Sequence, residues 1–97
     1  MELSFKQSSQ AFAGELAYET EFSAEADFNL HIERKRGGRI LFYQKTSENG
    51  NFAIIEGLRN LDAKGVIDID FTALIYPKTI KIVSESEPTL AVVTYGA

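Results

Sequence analysis

His31 is the only histidine in a chain of 97 residues that contains no cysteine. One imidazole and no thiol cannot assemble a Ser-His-Asp or Cys-His-Asn apparatus, nor a His-rich or thiolate metal site. The remaining route to hydrolysis is a pair of carboxylates at a suitable separation. Asp68 and Asp70 are the nearest candidates, but they share one face of one strand pattern, which marks the wet side of a half-buried strand. His31 falls on the polar face of its own strand pattern, where it reads as a solvated side chain. The expectation is a protein that is not an enzyme and uses no cofactor or metal.

The one dense basic cluster runs Arg34, Lys35, Arg36, Gly37, Gly38, Arg39. Gly37 and Gly38 suit a two-residue hairpin turn, because both can take positive φ. Around such a turn Arg36 and Arg39 would stand opposite each other and repel. Compensation is expected from Glu33, from the acidic N-terminal third, from a partner's carboxylates or from a bound anion. The strand that follows, Ile40 to Tyr43, is apolar on both faces, so a covering loop or an interface must hide Phe42 or Tyr43. Arg34, Arg36, Arg39, Phe42, Tyr43 and Tyr76 are therefore the candidate interface or binding residues. Tyr43, Tyr76 and Tyr95 are candidate stacking platforms for a glycan.

These residues need a scaffold, and period-two alternation supplies it. Ile67, Ile69 and Phe71 alternate with Asp68, Asp70 and Thr72; Phe28, Leu30 and Ile32 alternate with Asn29, His31 and Glu33. Ile80 and Ile82 flank Lys81 in the same way. Further strands are predicted over 3–6, 16–22, 39–45, 52–56 and 89–95. About eight short strands at this spacing indicate an all-β, two-layer antiparallel sandwich, jelly-roll-like, with an immunoglobulin-like sandwich as the alternative. Residues 11–25 are rich in Ala and Glu and could instead form a short helix; the alternation of Leu16, Tyr18, Thr20 and Phe22 favours a strand over 16–22. Residues 47–51 suit a type I turn closed by Gly50 in the left-handed region, and residues 62–65 suit another turn. Pro77 and Pro88 are expected at strand entrances, where a missing N–H costs least.

With 44% apolar and 25% charged residues, the chain can fill one core and stay soluble, which indicates a single domain over 1–97. No run approaches the ~20 apolar residues that span a bilayer, so membrane insertion is not expected. The opening residues lack the basic and apolar regions of a secretory leader; the chain is expected to stay where it is made, in cytoplasm or virion, unless a leader has been trimmed. The formal charge of −4 is unevenly spread. Residues 1–33 hold seven acids against one base (−6), and residues 34–97 hold nine bases against seven acids (+2). An acidic chain without an extended basic stripe does not suit nucleic acid. The split suits charge pairing between the two sheets, or head-to-tail packing of subunits.

The run YQKTSENGNF, from Tyr43 to Phe52, resembles the strand–turn–strand of discoidin-type, galactose-binding-like β-sandwiches, in which a strand ends in a Ser-x-Asp-Gly-x-x-aromatic turn. The segment Tyr76-Pro77-Lys78-Thr79-Ile80-Lys81-Ile82 is similar to a later strand of those domains, with a basic residue between aliphatics. Asn49 stands in place of the usual Asp, Phe52 comes one position early, and there is no Trp. The resemblance implies a non-catalytic structural or adhesion module of a larger assembly, such as a phage tail, baseplate or cell surface, working through a protein partner or self-association. The alternative it implies is a carbohydrate-binding module. It carries no ligand residue over to this chain.

Overall fold

The computed structural model describes residues 1–12, 14–61, 65–72 and 77–95. They form eight strands and no helix: β1 (Lys6–Phe12), β2 (Glu15–Ala24), β3 (Phe28–Arg34), β4 (Gly38–Lys45), β5 (Ala53–Leu61), β6 (Ile67–Phe71), β7 (Lys78–Ser84) and β8 (Pro88–Tyr95). Two antiparallel sheets pack face to face. The larger has the order β1-β2-β7-β4-β5, and the smaller β6-β3-β8.

The pairings show which sandwich this is. Residues 1–3 bridge to β8 through Glu2 and Val92, with Leu3 N–H donating to Ala91 O at 2.8 Å. Inside that pair nest β2 with β7, β3 with β6, and β4 with β5. This is a long antiparallel ribbon folded over on itself, with β3·β8 and β4·β7 contacts closing the wrap. That nesting is the jelly-roll arrangement. The β1–β2 hairpin adds one strand to the edge of the larger sheet. Residues 15–24 are thus strand and not helix, and the first strand starts at Lys6, because Leu3 pairs with the other sheet.

Alternation decides what the core contains. Phe28, Leu30 and Ile32 from β3, Ile67 and Phe71 from β6, and Ile80 and Ile82 from β7 are all buried, as their period-two spacing predicts. Ile69 is partly buried against the same core. Phe22, Ala24, Ile40, Phe42, Ala91 and Val93 complete it. Aromatic rings tie the layers at one end. Phe28 stacks on Phe71 at 4.9 Å, Phe42 meets Phe71 edge-on at 5.3 Å, and Phe22 meets Phe28 edge-on at 5.4 Å. Offset and edge-to-face rings add roughly 0.5–1.5 kcal/mol each beyond their buried area. Tyr95 closes this end: its ring sits edge-on to Phe28, and its hydroxyl donates to Ser23 O in the other sheet at 3.1 Å.

Two turn expectations are corrected. Gly37 and Gly38 do not make a hairpin, because β3 and β4 belong to different sheets and residues 35–37 cross between them. The local signal was the same; the pairing partners of β4 come from β5 and β7 instead. In the turn after β4, Gly50 N–H bonds to Ser47 O at 3.0 Å, closing a β-turn, but Gly50 does not adopt positive φ. Of the expected turn at 62–65 only Gly65 lies within the described residues. Its φ is +70°, and a Cβ there would meet Arg36 O at 2.7 Å, so only glycine fits against the crossing backbone. Pro77 and Pro88 stand at the entrances of β7 and β8, as expected.

Candidate functional site

The basic cluster is dispersed by the crossing. Arg34 continues the inward parity of Phe28, Leu30 and Ile32, and it is only 5% exposed. Its Nε donates to Gly65 O at 3.2 Å, and one terminal nitrogen reaches Gly38 O, Arg39 O and Ser84 Oγ at 3.3–3.4 Å. It is a structural clamp between the crossing and the larger sheet, not a surface contact. Lys35 pairs with Glu87 at 2.7 Å, and Arg36 with Glu15 at 3.3 Å. The acidic N-terminal third therefore supplies the compensation for Arg36. Both pairs are solvent-exposed and worth little individually. Arg36 and Arg39 do not face each other across a turn. Arg39 heads the outward row of β4, and its carbonyl accepts from Glu85 N–H at 2.9 Å. Beside Lys35 and Arg36 lies a groove of about 490 Å³ that also reaches Glu15, Leu16 and Tyr18.

Phe42 is fully buried by its own chain and is withdrawn as an interface residue. Tyr43 is not. It points to the outer face of the larger sheet, away from the core, together with Leu41. Cross-strand register places Val83 and Gly57 beside Leu41, and Lys81 and Ile54 beside Tyr43. Directly opposed residues share a face, so one apolar patch runs across three strands. Leu41 and Tyr43 cover the buried pair Ala17 and Val83. A bulge in β5 turns Ile55 toward the core while Ile54 stays outside, 52% exposed. Phe52, two residues before Ile54, joins the patch: Lys45 Nζ lies 4.8 Å from its ring centre and Lys81 Nζ 5.4 Å. Lys81 is also 5.8 Å from the Tyr43 ring and 4.0 Å from Glu19. Aromatic rings carrying ammonium groups, set around aliphatic side chains, make an apolar centre with a cationic border.

Phe52, Ile54, Lys45 and Lys81 were missed by inspection of the sequence. The parity of Tyr43 pointed to this face, but the register that adds Ile54 and Lys81 depends on strands ten and forty residues away. Tyr76 lies outside the described residues. Tyr95 latches the two sheets, which leaves Tyr43 as the described platform tyrosine on an outer sheet face.

The β3–β6 part of the smaller sheet's outer face is polar, as the Asp68–Asp70 pattern predicts, whereas β8 brings Val92 and the exposed Leu90 beside His31 and Glu33. The Asn29 side-chain amide donates to Asp68 at 2.6 Å and to Asp70 at 3.0 Å. His31 is not simply solvated: its ring nitrogens contact Asp68 and Glu33, each at 2.9 Å. Among the described residues no group of three or more His, Asp or Glu side chains is arranged to hold a metal ion. The hydrogen bond to Glu33, and then that to Asp68, raises the His31 pKa above its ordinary 6.5. The Asn29 and His31 contacts lower the Asp68 pKa below its ordinary 3.8. A raised histidine contributes stability below pH 6.5 that is lost as pH rises through the folded pKa. A depressed carboxylate contributes above pH 3.8 and loses it as pH falls. The network is therefore complete between those limits. Proton NMR titration of this lone imidazole should give a pKa above 6.5 that falls in both Glu33→Gln and Asp68→Asn. A wild-type pKa at or below 6.5 would disprove the paired contact of His31 with Glu33 and Asp68.

No family model matches the chain, and neither does any curated protein or solved structure.

Proposed function

We propose that this domain is a non-catalytic structural or adhesion module of a larger assembly, acting through protein contacts made by the outer face of the five-stranded sheet. One observation carries the reading: Leu41, Tyr43, Phe52 and the half-exposed Ile54 form a continuous patch on that face, bordered by Lys45 and Lys81. Scattered surface apolar residues need no explanation, but a contiguous patch with a charged rim fits a protein interface. The resemblance of residues 43–52 to galactose-binding-like sandwiches is compatible with it, and phage-tail or cell-surface assemblies are the proposed setting. For a glycan reading, Tyr43 and Phe52 would serve as stacking platforms. Both rings, however, already engage lysine ammonium groups, which favours a carboxylate-bearing protein over a neutral sugar.

Native extracts of the source, fractionated by sedimentation, test the reading. The wild-type chain should travel well above the position of the free 10.8 kDa chain, and a Tyr43→Ser/Ile54→Asp variant with an unchanged circular dichroism melt should move to it. Wild type at the free position, or a variant still in the heavy fraction, would refute the proposal.

A further inference from the structure

The occupant of that face can be named from its own layout; the argument rests on the reading above that the face is a protein interface. β7 is the central strand of the larger sheet, with β2 and β4 as its two neighbours and β1 and β5 as the edges. The outer face is striped along these strands. On the β2 side stand Glu19 and Glu21, paired in register with Val83 and Lys81. On the β4 side stand Leu41, Tyr43 and Lys45, paired with Val83, Lys81 and Thr79. Acids flank one side of β7, and a lysine with the apolar patch flanks the other.

Relief follows the same division. On the β5 side, Ile54 protrudes at the rung of Tyr43 and Lys81. On the β1 side, at the rung of Glu21, lies a groove of about 420 Å³ lined by Ser4, Phe5, Lys6, Glu19, Thr20 and Glu21. Ridge and groove thus stand on one rung, on opposite sides of the central strand. A two-fold axis running along β7, between two facing sheets, exchanges the sides and keeps the rung. It lays the Ile54 ridge of each copy over the groove of the other, and Glu21 of each over β4 of the other. Lys45 is one same-face step from Tyr43, about 6.7 Å along the strand, within reach of its own side chain. An axis perpendicular to β7 would instead stack the whole Glu19–Glu21 row of β2 on itself. The axis along β7 brings together only the two Lys81 side chains, each beside its own Glu19 at 4.0 Å and facing the partner's Glu21.

We infer that the partner is a second copy of this chain, docked face to face in an isologous dimer about an axis along β7, with Glu21 of each copy paired to Lys45 of the other. A closed two-fold needs a self-complementary patch of this kind. Five strands at about 4.8 Å by eight residues at about 3.3 Å present roughly 600 Å² per copy, the low end for a specific complex. The dimer is accordingly weak and salt-sensitive.

Analytical ultracentrifugation of the purified chain at low salt, with circular dichroism as a check on folding, tests the pairing through a charge swap. Wild type should dimerise. Lys45→Glu alone and Glu21→Lys alone should each raise the dimer dissociation constant about tenfold or more, because like charges then meet twice in each dimer. An equimolar mixture of the two variants should dimerise again, since both contacts are restored in the mixed pair. Monomeric wild type, a dimer that neither variant weakens, or a mixture that stays monomeric would overturn the inference. A purified monomer that still sediments in a heavy complex from native extract would overturn the second-copy assignment while leaving the interface reading intact.

Discussion

Phe71→Ala is expected to destabilise the domain by about 3–5 kcal/mol, a large part of a margin of roughly 5–10 kcal/mol. Phe71 is 7% exposed and sits where the two layers meet. It stacks on Phe28 within the smaller sheet and meets Phe42 of the larger sheet edge-on. Truncation removes both ring contacts and leaves a cavity between rigid strands that cannot collapse to fill it. Ile82→Ala, at 0% exposure in the central strand β7, should cost about 2–5 kcal/mol for the same reason. Asp70→Ala is the contrast on the neighbouring position. It loses one solvent-exposed hydrogen bond, from the half-buried Asn29, and should change stability by less than about 1 kcal/mol. Urea melts with unchanged slope measure all three. Less than about 1 kcal/mol at both Phe71 and Ile82 would show that the core does not depend on these inter-sheet contacts.

Arg34→Met should cost about 3 kcal/mol or more, although it keeps much of the side-chain volume. The substitution removes donors from Gly65 O, Gly38 O, Arg39 O and Ser84 Oγ. Hydrogen bonds to a charged group contribute about 1.5–3 kcal/mol each, and the loss is reduced because Gly65 O and Arg39 O keep their backbone donors. Arg34→Lys should recover only a fraction of the loss, because a single ammonium cannot match the planar fork that spans the crossing and β7. A solvated arginine would behave otherwise. Urea midpoints for Arg34→Met within about 0.5 kcal/mol of wild type would contradict the clamp. Gly65 belongs to the same junction, since its carbonyl accepts from both the backbone N–H and the Nε of Arg34.

The burial of Arg34 is legible in the sequence. The residue follows Phe28, Leu30 and Ile32 at the same parity, so alternation alone puts it on the buried side. Its place in a run of basic residues masked that signal, because a charge cluster beside two glycines also describes a solvated turn. Phe42 and Tyr43 were separable in the same way: Ile40 and Phe42 share one parity, Leu41 and Tyr43 the other. The patch around Tyr43 was not separable, since Phe52, Ile54, Lys45 and Lys81 converge only through the pairing of β4 with β5 and β7.

Alternation of apolar and polar residues by itself determined that the chain is all-β, where most strands run and which side chains fill the core. Each strand has only two faces, and burying an apolar row is the dominant favourable term in folding. The absence of cysteine and the single histidine likewise exclude thiol chemistry and a multi-histidine metal site. Only the tertiary structure decided which strands are neighbours. Gly37 and Gly38 permit a hairpin or a crossing equally well, and backbone hydrogen bonds between strands carry no record of sequence distance. The choice was made by nesting residues 1–3 with β8, β2 with β7, β3 with β6 and β4 with β5, which buries both sheets' apolar rows against each other. That choice dispersed the basic cluster, drew Arg34 inward, and assembled the lysine-bordered aromatic patch on the outer face of β4 and β7.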